Sequence, residues 1–305
     1  MSIDDDLPLP SDSSGHEQSA PRESRPGMLH RALDVLSAFR PNDLSLSPAE
    51  LAKRASLSKA TGHRIIRDMV DLGFLERTDG GVRLGLRMFE IGQLVPRQRD
   101  LRSAALPYMH DLREATRATV HLAVLDGTDV LYIDILGQDD DLPSRIGGRL
   151  PAYATGVGKA MLAFAPPYVI EALFAEPLER FSPGTITDRA ELEKELEQAR
   201  SWGVAYDREE STVGIVCAAA PLLSKDRALL GGLSVTSRVG GMNLQQVGPA
   251  VHTAALALGR ALDQEIGRSP SRAPISRYDE WSRDRARASI GKSNEEDTPM
   301  KEDTP

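Results

Sequence analysis

Apolar positions between residues 28 and 85 recur first at helical and then at strand spacing. Leu29, Leu33, Leu36 and Phe39 lie three or four apart, which predicts an amphipathic helix. Ser47-Pro48-Ala49-Glu50 reads as a capping box with proline at the first helical position, opening a short helix through Arg54. After the turn at Ser56-Leu57, Ser58 can cap a third helix. Its apolar side is Ile65, Ile66, Met69 and Leu72, and Gly73 supplies a left-handed stop. Phe74 to Arg77 and Val82 to Leu84 then alternate as short strands around Thr78-Asp79-Gly80-Gly81, a hairpin signal. Helix, helix, turn, helix and hairpin in this order make a winged helix-turn-helix.

Residues 86–117 keep a helical pattern and are expected to connect two domains. Beyond them the period changes. Thr119 to Leu125 and Val130 to Leu136 flank the turn 126–129, and Ile215 to Leu223 and Ala228 to Ser237 flank the turn 224–227. Helices are predicted over about 156–164, 167–174 and 188–202, the last opened by an Asp188/Glu191 capping pair, and a closing helix over 244–266. Strands with helices grouped around them predict an α+β class. The expected division is a tail at 1–27, a winged helix-turn-helix at 28–85, linker helices at 86–117, an effector-binding domain at 118–267 and a tail at 268–305. Both tails are polar and proline-studded, with no apolar period to offset the entropy of ordering. Within the second, residues 278–288 admit a short helix.

Composition narrows the function. No apolar run approaches the ~20 residues that span a bilayer, and the first residues are acidic where a signal peptide is basic, so a cytoplasmic protein without a membrane partner is expected. The single cysteine, Cys217, rules out an internal disulfide and a multi-cysteine zinc site, and the six scattered histidines show no ligand spacing. No metal or cofactor is predicted. The net charge is −8, yet residues 28–95 carry ten basic and eight acidic side chains, a net positive stretch in an acidic chain. An excess of two identifies nothing by itself; placement does. On the helix after Ser58, Lys59, Thr61, His63, Arg64 and Arg67 populate the side opposite the apolar one, where donors can read base edges or hold phosphates in the major groove. Arg83 on the hairpin is the expected wing contact. Gly62 weakens this helix by about 1 kcal/mol relative to alanine, with no reason visible in the sequence.

Several motifs resemble those of the IclR-type transcriptional regulators over residues 28–264. They are Arg31-Ala32, Leu57-Ser-Lys-Ala-Thr-Gly-His-Arg-Ile-Ile-Arg67, Gly73-Phe-Leu-Glu-Arg77, Arg83-Leu-Gly85, Leu150-Pro-Ala-Tyr-Ala-Thr-Gly-Val-Gly-Lys-Ala160, Gly203-Val-Ala-Tyr-Asp-Arg-Glu-Glu210 and Cys217-Ala-Ala-Ala-Pro221. Ala60 and Gly62 stand where the family usually has a serine and an aliphatic residue, and Ala152-Tyr153 replaces a more usual Leu-His. The resemblance implies a homodimer or dimer of dimers that binds double-stranded operator DNA, with a GAF-like C-terminal domain whose small-molecule ligand tunes operator affinity. Such a protein would be a repressor of a catabolic operon, with a small organic acid as effector.

The resemblance also places Asp207 and Cys217 at the effector. With them, Thr155, Gly156, Val157 and Ser234 are expected to line the site, Ile146 and Leu150 to form an apolar lid, and Ala152 to leave room for the ligand. Thr155 would cap a helix whose first amides, from Gly156 and Val157, accept a carboxylate. The glycines could equally serve close packing of helix on sheet. Gly156-Val-Gly158-Lys159 is not a phosphate loop, because Tyr153 and Ala160 stand where glycine and a hydroxyl residue are needed. A competing reading makes the C-terminal domain an enzyme with Cys217 as nucleophile and His121 or His252 as base. Against it, Cys217 sits in a small apolar strand, where a buried, inert thiol is usual.

Overall fold

The computed structural model describes residues 27–137 and 142–268. The two tails therefore fall outside the described residues except at Gly27 and Arg268, as does the short helix expected over 278–288. The chain divides into two compact units, one up to Leu94 and one from Val95.

In the first unit, helices α1 (Met28–Ser37), α2 (Pro48–Arg54) and α3 (Lys59–Asp71) precede the hairpin β1 (Leu75–Thr78) and β2 (Gly81–Leu84), and α4 (Leu86–Gln93) follows. The Ser47 hydroxyl accepts the Glu50 amide and the Ser58 hydroxyl accepts the Thr61 amide, so both predicted caps form. Gly73 takes a φ of +77° just past the end of α3. The core holds Val35, Leu51, Ile65, Ile66, Met69, Leu75 and Val82. From α1 it takes Val35, with Ala32 and Leu36 beside it, whereas Leu29 and Leu33 are exposed, so the buried stripe is rotated from the one the leucine spacing suggested. Gly62 acquires its reason here. A methyl at this position would overlap the Ala52 Cβ of α2, so the glycine lets the two helices of the motif approach.

The stretch 86–117 is helical but interrupted. Between α4 and α5 (Pro96–Thr116), Val95 is extended, because Pro96 disfavours helical geometry in the residue before it.

The second unit is built on a six-stranded antiparallel sheet with strand order β5-β4-β3-β8-β7-β6. Its strands are β3 (Thr119–Asp126), β4 (Asp129–Leu136), β5 (Arg149–Pro151), β6 (Ala205–Arg208), β7 (Ile215–Leu223) and β8 (Leu229–Arg238). Helices α6 (Gly156–Leu162), α7 (Pro167–Leu173) and α8 (Arg189–Trp202) cover one face; α5 and α9 (Leu244–Arg268) cover the other. With both faces covered, every residue of β3 is buried and its alternation is muted. The edge strands β5 and β6 escape sequence reading, since three or four residues cannot display a period of two. Asp207, outside every predicted element, lies on β6.

Candidate DNA interface and effector cavity

On the first unit, α3 and the hairpin enclose a groove of about 430 Å³. His63, Arg64 and Arg67 line it from α3, Pro48 from the start of α2 and Arg77 from β1. Apolar residues of α3 at 65, 66 and 69 are buried beneath, so its remaining positions face outward. Lys59 is exposed at the N-terminal end of α3 outside the groove lining, and the Thr61 hydroxyl accepts the Ser58 hydroxyl. Arg67 lies 3.7 Å from Asp68, both well exposed. Arg83 is not in this group. Its guanidinium donates twice to Glu76 Oε2, at 3.0 and 2.9 Å, while Glu76 Oε1 accepts the Leu86 amide at 2.9 Å. Those bonds hold the Glu76 carboxyl below the usual carboxylate range, the Leu86 amide more than Arg83. Arg77 was missed in the sequence, although its place one residue before the turn and two after buried Leu75 marks the side on which it emerges.

On the second unit, strand register assembles a cavity from residues far apart in sequence. Asp207 pairs with Cys217, Cys217 with Thr236, and Ser234 with His121, so the four strands β6, β7, β8 and β3 present these side chains from one face. Thr155, Gly156 and Val157 close one side at the start of α6, and Leu142, Pro143, Ser144 and Leu150 close another. The His121 ring anchors the cover. Its Nε2 meets Ser144 Oγ at 2.8 Å, and its Nδ1 faces the hydroxyls of Thr236 at 3.3 Å and Ser234 at 3.4 Å. Burial pushes His121 down to about 4, so the ring is neutral.

Ile146 does not join the cavity. It is 54% exposed, at the tip of a turn in which Gly147 takes a φ of +74° and donates to the Tyr132 carbonyl. Ala152 is fully buried, but its carbonyl lies where a methyl on Gly158 would be, and it does not line the cavity. Thus Gly158 serves helix packing, and Gly156 does so too, since a methyl there would stand 3.0 Å from Cys217 Sγ. Gly156 and Val157 nonetheless form cavity wall, and the Thr155 cap bonds the Gly158 amide at 3.1 Å. The first two amides of α6 have no acceptor within the helix. His121, Tyr132, Ser144, Ser211, Ile215 and Thr236 also line the cavity and were not foreseen. A sequence signal existed for one of them: Thr236 alternates with the expected Ser234 as a polar position in an otherwise apolar strand.

Asp207 is almost wholly buried. Its oxygens accept the Glu210 amide at 2.7 Å and the Ser211 hydroxyl at 2.9 Å, but burial dominates and raises its carboxyl to about 6. Burial, with the nearby Asp207 charge, pushes the Cys217 thiol up to about 12. The raised thiol and the neutral His121 ring disfavour a thiolate beside an imidazolium, the reverse of what an activated cysteine needs. His252 lies elsewhere, against Gly203. Among the described residues no group of three or more His, Cys, Asp or Glu could hold a metal, and no helix is long and apolar enough to cross a membrane.

Lys159, in the motif set aside as a phosphate loop, points away from any such use. It is fully buried, with Nζ 2.6 Å from both oxygens of Glu210 and 3.3 Å from Glu195. The loop after β6 is thereby tied to α6 directly beside Asp207. Ser182 and Thr185 hydroxyls, which donate to the Glu210 carbonyl, hold it from the other side.

Both units have recognisable relatives. Residues 28–79 match the IclR helix-turn-helix domain, and residues 93–260 match the model described as bacterial transcriptional regulator IclR C-terminal. The HTH-type transcriptional regulator XynR of Escherichia coli (strain K12) is 33% identical over 242 residues, covering 77% of this chain and 96% of that protein. The transcriptional repressor IclR of the same organism is 29% identical over 228 residues, covering 72% and 83%. Among solved structures, an IclR homologue from Microbacterium hydrocarbonoxydans complexed with 4-hydroxybenzoate superposes with a TM-score of 0.72. It is 31% identical, and the match covers 77% of this chain and all of that one. Since the matches run through the winged motif and the sheet that carries the cavity alike, the chain belongs to the IclR family of bacterial transcriptional regulators.

Proposed function

We propose that the chain is a cytoplasmic, dimeric or tetrameric repressor of a catabolic operon, that Lys59, Thr61, His63, Arg64 and Arg67 of α3 engage the operator, and that a small organic acid in the second unit tunes its affinity. The second unit binds its ligand without turning it over, because burial keeps the Cys217 thiol protonated and leaves the neutral His121 imidazole too weak a base to take its proton. One observation carries the ligand reading: a buried carboxyl, hydroxyls and helix-start amides converge on a single cavity. Among the described residues lining it, none is lysine or arginine. A carboxylate would therefore be held by neutral donors, the Gly156 and Val157 amides, while Asp207, which packs directly against Gly156, receives a ligand hydroxyl. A relative of this chain holds 4-hydroxybenzoate, which carries an acid at one end and a hydroxyl at the other.

The cavity as it stands, about 30 Å³, has room for one or two waters. A ligand must therefore displace the Leu142–Ser144 cover, and the bond from His121 to Ser144 is the one that yields. Such a ligand alters operator affinity only in so far as it binds the DNA-competent and incompetent states differently, and DNA then alters ligand affinity by the same factor.

The test joins two assays. Genomic fragments captured by the protein are used in gel shifts, and wild type and Asp207→Ala are titrated calorimetrically with aliphatic and aromatic hydroxy acids, 4-hydroxybenzoate included. Heat released by wild type, lost in the variant, and a matching change in the gel shift support the reading. Wild-type affinity in Asp207→Ala removes that residue from the site, and a neutral or cationic effector defeats the acid reading.

A further inference from the structure

We propose that Arg77, not Arg83, is the contact of the wing to DNA, that its partner is a backbone phosphate, and that Arg83 instead belongs to a neutral pair that closes the start of α4. The pleat of the hairpin separates the two arginines. Leu75 pairs with Leu84, Glu76 with Arg83, and Arg77 with Val82. Since side chains alternate across a strand, Arg77 and Val82 share the face of buried Leu75, the one that packs on α3, whereas Glu76 and Arg83 share the other. Leu75 and Val82 are each 1% exposed in the core with Ile65 and Ile66 of α3. Arg77 continues that face beyond the core toward the turn. It reaches the open groove across from His63, Arg64 and Arg67.

Charge separates them again. Among the described residues no carboxylate lies within ion-pair distance of Arg77 or Arg64, so each brings a positive charge to the groove. Among the described residues lining that groove, none is acidic. Arg83 is bonded twice to Glu76, and the pair is close to neutral, so bringing it to a phosphate releases little counterion. Nor is Glu76 free to move aside. Its second oxygen accepts the Leu86 amide, one of the helix-start donors that α4 would otherwise leave unmet, since its N-cap is Gly85 with no side chain to offer. The position of β2 is held too. Leu46 and Val82 exchange backbone hydrogen bonds at 2.8 Å each, which sets the hairpin against the segment before α2. Gly81, at a φ of +138°, permits that approach, for a methyl there would run into the Leu46 carbonyl. With one side of the hairpin fixed in this way, the arginine presented beside α3 is decided by the backbone.

A phosphate contact has a signature that a base contact lacks. It weakens binding on every sequence alike and lowers the salt dependence, by about 0.9 in the slope of log K against log salt for each phosphate neutralised. Four full-length proteins are compared: wild type, Arg77→Ala, Arg77→Lys and the paired variant Glu76→Gln/Arg83→Gln, which removes both charges and leaves no lone carboxylate near DNA. Each is titrated at several salt concentrations into a captured genomic fragment and into a duplex of random sequence, after a thermal melt shows that it folds. Arg77→Ala is expected to lose affinity several-fold on both duplexes, with the slope reduced by about 0.9 per bound chain. Arg77→Lys keeps the slope, and the paired variant keeps both slope and affinity. The assignment falls if Arg77→Ala leaves the slope unchanged, if its loss is confined to the captured fragment, if Arg77→Lys loses as much slope as alanine does, or if the paired variant loses as much as Arg77→Ala.

Discussion

Replacing Lys159 by methionine removes the cation that, among the described residues, pairs with the buried Glu210. The ammonium has no exposure and lies 2.6 Å from both Glu210 oxygens, while the Glu210 side chain is itself 5% exposed. With Lys159 gone, Glu210 keeps the Arg208 amide at 3.2 Å as a donor to its carboxylate, too little to offset burial of a full charge. Glu195 adds little, being 19% exposed and 3.8 Å from the Arg208 guanidinium. Breaking a buried pair from one side costs about 3–5 kcal/mol. For a unit of this size each kcal/mol lowers Tm by roughly 2–4 °C, so the variant should melt about 6–20 °C below wild type. Calorimetry of the whole chain measures this, with the transition of the untouched first unit as internal reference. Adding Glu210→Gln should recover most of the loss, because the remaining amide still accepts the Arg208 N–H and no charge is left alone. A single variant within about 1 kcal/mol of wild type, or a double variant no better than the single, would refute the reasoning.

Other outcomes follow from the same geometry. Arg64→Ala and Arg67→Ala should each weaken operator binding, by about 1–3 kcal/mol where the arginine reads a base through two bonds; unchanged affinity in both at physiological salt would sink the docking of α3. Asp207 has a folded-state pKa of about 6 against an ordinary value of 3.8, so the folded state holds its proton more tightly and wild-type stability falls as pH rises between the two. Asp207→Asn should therefore melt with wild type near pH 4 and above it by pH 7.5, by an amount of order 3 kcal/mol at most. A difference independent of pH counts against it. Gly62→Ala, which gains about 1 kcal/mol in helix propensity at an ordinary site, should instead destabilise the first unit, and Ala52→Gly added to it should restore stability. Urea denaturation of the three proteins decides the sign.

The local signals in the chain were enough for the winged motif, because its elements announce themselves within a few residues: Ser47 and Ser58 as caps, Gly73 as a stop, a glycine turn between two short strands. The long strands and helices of the second unit were legible for the same reason, and the residues expected at the effector, Leu150, Thr155, Gly156, Val157, Asp207, Cys217 and Ser234, do meet in one cavity. Beyond what the family resemblance implied, contacts that depended on a partner distant in sequence were not legible. His121 enters the cavity through its register with Ser234, more than a hundred positions away, and Glu210 finds Lys159 across 51. Gly62 looked like a defect until Ala52 of the neighbouring helix occupied the space of its missing side chain. Ile146 looked equivalent to its neighbours until a turn carried it out of the cavity, and Arg83 until the strand pleat set it beside Glu76 on the face opposite Arg77. Composition and spacing determine which elements form, because helix caps, periods and turns are short-range. Which side chains meet is decided by strand register and helix packing, where a shift of one residue carries a side chain to the opposite face.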